Sequence, residues 1–205
     1  MFYTINTPWI SKKIYPKALW SANPHEKSVY LTFDDGPTEH LTYWILDLLH
    51  QYQAKATFFC IGRQIQQFPK QYKAIIEAGH TVGNHSQTHP NGWHTKTVDF
   101  LKDVEAAKPL IQSNLFRPPY GAMRWGQYRK LSQQYKIVMW SIMNGDFMAD
   151  VSKQQCLTRI IENVKAGSII VMHDKGRITE KLKWYLPQVL AFLHEQGYKM
   201  KAIQS

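Results

Sequence analysis

The sequence contains few cysteines and no long hydrophobic run, and each of these absences excludes a class of protein. Cys60 and Cys156 are the two cysteines among 205 residues, so the chain is not a disulfide-built mini-protein, and we predict two reduced, buried thiols. No stretch approaches the ~20 apolar residues that a membrane-spanning helix needs, so we expect no membrane span. The amino-terminal residues lack the apolar segment and the small-residue cleavage site of a secretory signal. This predicts a cytoplasmic protein, or one of the envelope or exterior if a leader has been removed.

The sequence has fewer acidic than basic residues. It contains 15 Asp and Glu and 25 Lys and Arg, which gives a formal net charge of +10. Such a balance favours anionic surroundings such as nucleic acid, phospholipid or an acidic polymer. The lysines are scattered, however, with no run of five or more, so we interpret the charge as a solvated surface and expect no nucleic-acid partner. Aromatic residues reach 13%, with seven Trp, and carbohydrate-binding clefts as well as cores collect such side chains.

No repeat, low-complexity tract or Gly/Ser linker divides the chain, so we predict one domain over 1–205, with a motif-bearing core at about 28–203 and a short amino-terminal extension at 1–27.

Seven short apolar runs predict buried strands at 29–33, 57–61, 80–83, 115–117, 136–141, 168–172 and 199–203. Six stretches with helical spacing lie between them, at 41–52, 65–77, 98–111, 127–134, 155–164 and 181–194. The alternation predicts parallel strands joined by right-handed crossovers, in a (β/α) barrel or an open doubly wound sheet. Both folds have their functional face at the carboxyl ends of the strands.

Polar side chains follow five of the predicted strands on that face. They are Asp34 and Asp35 after the first strand, His85 and His89 after the third, Arg117 and Tyr120 after the fourth, Asp146 after the fifth and His173 after the sixth. Each group alone is typical of a polar turn, and Asp-Asp-Gly-Pro in particular is a turn sequence. Because carboxylate, imidazole and guanidinium groups coincide at one edge of the sheet, we interpret them as a chemical site.

A metal site is the most specific hypothesis that these residues support. His85 and His89, four positions apart, can meet one ion if their segment turns helically, and one carboxylate of the Asp34–Asp35 pair completes the ligand set. Catalytic zinc sites use three such ligands and keep an open position, but residue type alone leaves iron, cobalt and manganese open. The remaining carboxylate is a candidate general base, and His173 is a candidate acid. Non-haem iron oxygenases use the same ligand set but do not explain the other charged residues of the site.

Together these motifs resemble the polysaccharide deacetylases of the NodB-homology type, carbohydrate esterase family 4. The matching segments run in the family's order: Thr32-Phe-Asp-Asp-Gly36, His85-Ser-x-x-His89, Arg117-Pro-Pro-Tyr-Gly121 and Val171-Met-His173. The resemblance spans residues 28 to about 174 and implies a distorted (β/α) barrel of about seven parallel strands. It also implies a hydrolase that removes acetyl groups from N-acetylated sugars, such as those of peptidoglycan or chitin. The implied cofactor is one divalent metal ion, with zinc as the first choice and cobalt, nickel, manganese or iron as alternatives.

The resemblance implies a role for each matching residue. Asp34 is expected to be the general base, oriented by Arg117, and His173 is expected to be the general acid. The expected metal ligands are Asp35, His85 and His89, and the backbone N–H of Tyr120 is expected to bind the oxyanion. The aromatic residues that we expect beside the cleft are Trp93, Trp125 and Tyr120.

The fourth motif departs from the family pattern. The family shows Asp-x-x-Asp-Trp, whereas this chain has Met143-Asn-Gly-Asp146-Phe147. The Asp that orients the acid histidine is retained as Asp146. Phe147 and Val171, a position where the family more often has leucine, are expected to form an altered acetyl-binding wall. The departure bears on the substrate more than on the reaction, because no metal ligand or proton-transfer group is lost.

Three alternatives remain open beside the deacetylation of N-acetylated glycans. The first is an esterase for O-acetyl glycans such as xylan, or a small-molecule amide deacylase of the same fold, which the cytoplasmic-looking terminus favours. The second is an inactive carbohydrate-binding relative, against which the retained ligands, base and acid argue. The third is the iron oxygenase. We expect a monomer whose partner is an N-acetylated carbohydrate.

Overall fold

The computed structural model describes residues 9–204, except for the side chains at positions 9–11 and 177. Residues 1–8 of the predicted extension and residue 205 lie outside the described part. The strands are β1 (Ser28–Asp34), β2 (Ala56–Cys60), β3 (Thr81–Asn84), β4 (Leu115–Phe116), β5 (Lys136–Ile137), β6 (Ile142–Met143), β7 (Ile169–His173) and β8 (Lys199–Met200). The α-helices are α1 (Trp9–Ile14), α2 (Leu41–Gln51), α3 (Gly62–Gln67), α4 (Pro69–Glu77), α5 (Thr97–Ala107), α6 (Trp125–Leu131), α7 (Lys153–Ile161) and α8 (Thr179–Glu195). Short 3-10 turns at Pro119–Gly121 and Gly176–Ile178 follow β4 and β7.

The strands form one parallel sheet that curls into a half-barrel. Their hydrogen-bonded order is β5-β4-β3-β2-β1-β7-β6, and β8 pairs with the first residues of β1. In the central strand β1, Asp34 lies in register with Phe59 of β2 and with His173 of β7. Two of the charged side chains predicted at strand ends therefore lie at the same level of the sheet. The predicted distorted barrel of about seven parallel strands is confirmed.

The predicted strand at 136–141 forms only at its first two residues. The chain forms β5 at its start and β6 just beyond its end, and these two strands pair with β4 and β7, at opposite ends of the sheet. Between them the carbonyl oxygens of Val138 and Met139 accept hydrogen bonds from the buried Arg117 side chain, and the Met139 N–H donates to Leu19. These bonds to Arg117 and Leu19 hold the segment in place of a continuous strand. The segment crosses from β5 at one edge of the curled sheet to β6 at the other edge. It thereby brings Asp146, beyond β6, next to β7.

The predicted helix at 65–77 is interrupted. α3 ends at Gln67 and α4 begins at Pro69, and Phe68 between them has φ −128° and ψ 57°. Proline lacks an amide hydrogen and crowds the preceding residue out of the helical region, so one helix cannot run through this point. Each of the other five predicted helices overlaps one observed helix.

The core lies between the sheet and the helices around it. β1, β2 and β7 are buried almost throughout, and helices such as α2 cover them with an apolar face that includes Ile45 and Leu49. Burial of one such side chain contributes roughly 1.5–3 kcal/mol, so this face holds α2 on the sheet. Cys60 and Cys156 are buried here as free thiols, as predicted. Within residues 9–204, no helix is long and apolar enough to cross a membrane.

Candidate active site

A cleft opens at the carboxyl ends of the central strands. The space inside it, part of which is continuous with solvent, is about 440 Å³. Eight of the ten residues predicted for the site line it: Asp34, Asp35, His85, His89, Tyr120, Phe147, Val171 and His173. The other two, Arg117 and Asp146, are fully buried behind it. The structure thus brings all ten predicted residues to one place.

Asp35, His85 and His89 form a compact set of metal-ligating atoms. One such atom from each residue lies within 4.8 Å of the others, and Asp35 Oδ1 is 3.1 Å from His89 Nε2 and 3.6 Å from His85 Nε2. His85 Nδ1 lies 2.7 Å from the Arg117 carbonyl oxygen, which fixes the ring and leaves Nε2 for an ion.

The protonation states of Asp35 and His89 suit a divalent cation. Burial by itself would raise the pKa of Asp35, but the imidazoles of His85 and His89 that face it lower this pKa well below its usual range. Burial lowers the pKa of His89, although the Asp35 carboxylate opposes that effect. Carboxylate and neutral imidazole are donors that zinc and similar ions take, so the residues present fit a metal ion.

The backbone that carries these ligands is held in left-handed conformations. Of the five non-glycine residues with positive φ that are found in the described part of the chain, four lie here: Asp35, Ser86, His89 and Tyr120. The Ser86 N–H donates to Asn84 Oδ1 at 2.7 Å, and the His89 N–H donates to Ser86 Oγ at 3.0 Å. The helical turn expected between His85 and His89 is therefore not formed. A loop with left-handed residues brings the two imidazoles together instead, with ring centroids 5.0 Å apart.

Asp34 ends β1 and is paired with a fully buried arginine. Arg117 Nη1 donates to Asp34 Oδ1 and to Thr32 Oγ1, each at 2.7 Å. Its Nε and Nη2 donate to the carbonyl oxygens of Val138 and Met139 at 3.2 and 2.9 Å. Burial lowers the pKa of Arg117, and the Asp34 charge opposes this change. A buried guanidinium needs such partners, and in return it stabilises the negative charge of Asp34 and fixes its orientation toward the cleft.

His173, the last residue of β7, is paired with the fully buried Asp146. His173 Nδ1 lies 2.7 Å from Asp146 Oδ1, and the His173 backbone N–H donates to Asp146 Oδ2 at 3.0 Å. Nε2 is therefore the ring nitrogen left for the cleft. Burial by itself lowers the pKa of His173, but the negative charges of Asp146, Asp35 and Asp34 together outweigh burial, and the pKa is raised to about 9. The ring thus carries a proton at neutral pH.

The apolar wall of the cleft is larger than predicted. The Phe147 ring lies 5.1 Å from the His173 ring, and Trp140 and Met143 line the cleft beside Phe147 and Val171. Gly121 has φ 62°, and a Cβ there would lie 2.4 Å from the Trp140 ring, so the turn after β4 requires glycine. The preceding residue, Tyr120, packs its ring 4.6 Å from the His89 ring. Tyr120 therefore connects the ligand loop to this wall.

Two of the three aromatic residues expected beside the cleft do not line it. Trp93 and Trp125 are 44% and 59% exposed. The Trp93 indole N–H donates to the Met123 carbonyl oxygen, and Trp125 packs on Tyr128 of α6. Trp140 lines the cleft in their place. Sequence analysis missed it because it belongs to the segment wrongly predicted as a strand.

Two titratable residues beside the metal-ligating set were given no role from the sequence. Lys175 Nζ pairs with Asp35 Oδ2, the oxygen that faces away from His89. Asp174 is fully buried against Gly36, and burial raises its pKa well above its usual range. They are the two residues after His173, so their position at the end of a predicted strand was the signal that could have identified them.

Comparisons with known proteins agree on one family. Residues 21–140 match the family model described as polysaccharide deacetylase. A peptidoglycan-N-acetylglucosamine deacetylase of Bacillus cereus is 30% identical over 191 residues, which cover 90% of this chain and 90% of that protein. The peptidoglycan-N-acetylmuramic acid deacetylase PdaC of Bacillus subtilis is 29% identical over 191 residues, which cover 89% of this chain but 39% of that protein.

Solved structures share the fold. The crystal structure of a peptidoglycan N-acetylglucosamine deacetylase superposes with a TM-score of 0.80 at 30% identity, and the match covers 96% of this chain and 95% of that one. A protein of Bacillus anthracis described as a CE4 family pseudoenzyme superposes with a TM-score of 0.75 at 28% identity, covering 88% of this chain and 65% of that one. The fold alone therefore does not separate enzymes from pseudoenzymes, and the site residues carry the argument about activity.

Proposed function

Because the chain belongs to the polysaccharide deacetylase family, we propose that it removes acetyl groups from N-acetylated sugars of peptidoglycan. The observation that carries this proposal is the placement of a candidate base and a candidate acid, Asp34 and His173, in register on neighbouring strands at one cleft. Relatives named for N-acetylglucosamine and for N-acetylmuramic acid deacetylation support an N-acetylated sugar as the substrate.

We assign the cofactor site to Asp35, His85 and His89 and propose zinc as the ion, with cobalt, nickel, manganese and iron as alternatives. An ion held there polarises a carbonyl oxygen and makes a water molecule a stronger acid at neutral pH. The chain's own contribution is a buried carboxylate and two imidazoles, of which His85 is fixed by its bond to the Arg117 carbonyl oxygen.

Two side chains would move the protons of the reaction. Asp34 accepts the proton of the attacking water as its oxygen bonds to the acetamide carbon, and the guanidinium of Arg117 holds this carboxylate in place. His173 Nε2 then donates a proton to the sugar nitrogen as the carbon–nitrogen bond breaks, so that acetate and a free amino sugar leave. The Asp146 carboxylate supports this step, because it orients the ring and keeps it protonated at neutral pH.

The remaining predicted residues would bind the acetyl group. The backbone N–H of Tyr120 donates to the oxyanion that forms on the carbonyl oxygen, an interaction worth about 3–4 kcal/mol per donor. Phe147 and Val171, with Trp140 and Met143, form an apolar wall that suits the acetyl methyl group. An aromatic and aliphatic wall excludes water from the reacting carbon, which strengthens the charge interactions around it.

An acetate-release panel tests the proposed function. The purified protein with added zinc is incubated with peptidoglycan, N-acetylglucosamine oligomers, acetylated xylan and a small acetamide, and the Asp34→Asn variant serves as the inactive control. We expect acetate from the N-acetylated glycans, and none from the variant. Release from acetylated xylan alone would favour the O-acetyl esterase, and release from the small acetamide alone would favour the amide deacylase. No release from any of the four would favour an inactive carbohydrate-binding relative.

A further inference from the structure

Helix α8 contacts the Asp146 loop from the side opposite the cleft, through two side chains one turn apart. The Tyr185 hydroxyl donates to Asp146 Oδ2 at 2.8 Å. Lys181 Nζ donates to the carbonyl oxygens of Met148 and Val151, each at 2.6 Å. Neither residue belongs to a motif of the sequence analysis, yet both hold the loop that carries Asp146.

The carboxylate of Asp146 is held by three hydrogen bonds. Oδ1 faces His173 Nδ1 at 2.7 Å, whereas Oδ2 accepts from the His173 backbone N–H at 3.0 Å and from the Tyr185 hydroxyl at 2.8 Å. Asp146 and Tyr185 are both fully buried, so water cannot replace a bond that is lost without entering the core. The Tyr185 hydroxyl is therefore a second side-chain group, beside the His173 imidazole, that fixes the carboxylate.

We propose that Tyr185 is a positioning residue for the general acid, because its hydroxyl holds the Asp146 carboxylate in the orientation that His173 requires. This inference rests on the proposed function, in which His173 donates the proton to the leaving nitrogen. Tyr185 touches neither the cleft nor the reacting atoms, and it acts through Asp146. The phenol ring also packs in the core beneath α8, so the hydroxyl and the ring have separable roles.

The direction of the electrostatic effect follows from the groups around the pair. Asp34 and Asp35 at the end of β1 and Asp146 beyond β6 act on His173. Tyr185 and Lys181 of α8 bond to the Asp146 loop from behind, and Cys156 of α7 lies near the same carboxylate. A hydroxyl that donates to Asp146 stabilises part of the carboxylate's negative charge. Removing this hydroxyl leaves a stronger charge facing His173, so the ring should keep its proton to a higher pH.

The test compares Tyr185→Phe with Tyr128→Phe, a matched control that removes a hydrogen-bonded hydroxyl from a buried tyrosine in a different core cluster. In the zinc-loaded proteins, the pKa of His173 is measured by NMR titration of its ring, assigned by the signal that His173→Gln removes. For Tyr185→Phe we expect a raised pKa of His173, kcat lower by about tenfold and an unchanged KM. Tyr128→Phe should change none of these.

An unchanged pKa of His173 together with an unchanged kcat in Tyr185→Phe would overturn the inference. The NMR titration does not need turnover, so a shifted pKa in a protein that releases no acetate would contradict the proposed function and leave the Tyr185–Asp146–His173 contact established. If Tyr185→Phe does not fold, the hydroxyl proton of Tyr185 in the wild type gives the same answer. Its resonance should move as His173 titrates, and an insensitive resonance would count against the inference.

Discussion

Arg117 Nη1 and Asp34 Oδ1 are joined across 2.7 Å by a hydrogen bond in which the guanidinium is fully buried and the carboxylate borders the cleft. The same guanidinium holds the backbone of the segment that connects β5 to β6 through Val138 and Met139. One side chain therefore orients the candidate base and maintains the curl of the sheet.

Loss of Arg117 should destabilise the fold. Arg117→Met leaves Asp34 buried without its counter-charge, and breaking such a pair typically costs about 3–5 kcal/mol in the free energy of unfolding. Urea unfolding in the presence of a chelator measures this loss. Adding Asp34→Asn to Arg117→Met removes the unpaired charge, so the double variant should regain part of the stability. A double variant no more stable than Arg117→Met would show that the pair contributes little.

Substitution of the adjacent carboxylates Asp34 and Asp35 should affect zinc content and reaction rate differently. Asp35→Asn removes a charged ligand and should lower zinc content. Asp34→Asn should retain zinc and lose roughly 10²–10⁴ in rate, the usual contribution of a general base. Metal analysis and acetate release on both purified variants make the comparison. If Asp34→Asn is the variant that loses its zinc, the two roles are reversed.

Asp146 should control the alkaline limb of the pH–rate profile. The active form of His173 is the protonated one, so activity falls as pH rises through its pKa, which Asp146, together with Asp35 and Asp34, raises to about 9. Asp146→Asn removes that charge while burial continues to lower the pKa, so the limb should move to lower pH and kcat should fall by about tenfold or more. Measuring kcat against pH tests this. An unmoved limb with an unchanged plateau would show that Asp146 does not serve His173.

Lys175 should weaken metal binding. The Lys175 ammonium pairs with the Asp35 carboxylate, which is also a candidate metal ligand. The positive charges of the ammonium and of a metal ion repel each other there. Because Lys175 is partly exposed and screened by solvent, we expect Lys175→Met to bind zinc roughly tenfold more tightly, measured by competition with a chromogenic chelator. Lys70→Met, at an exposed position on α4, is the matched control. Equal zinc affinity in Lys175→Met and the wild type would show that Lys175 does not weaken metal binding.

Sequence analysis predicted most of the site because each motif lies at a strand end, where parallel topology brings distant residues together. His85 and His89 lie together as predicted, but the expected helical turn does not form. Residues with left-handed backbone conformations bring the two imidazoles together instead. Sequence analysis could not predict Trp140, because the direction of that side chain depends on how Arg117 bonds the segment between β5 and β6. The contacts of Tyr185 and Lys181 with the Asp146 loop could not be predicted from the sequence either. Their helical spacing suits core packing equally well, and only the tertiary structure shows that they contact the Asp146 loop.

Metal-dependent deacetylation by this protein is best tested by removing the metal ion, returning it and measuring acetate release. The protein is stripped with a chelator, dialysed and assayed on N-acetylglucosamine oligomers and peptidoglycan, without metal and with zinc, cobalt, nickel, manganese or iron added back. We expect no acetate from the stripped protein, one ion bound per chain on reconstitution, and activity that returns with zinc in the wild type but not in Asp34→Asn. Full activity in protein shown to hold no metal ion would contradict this expectation.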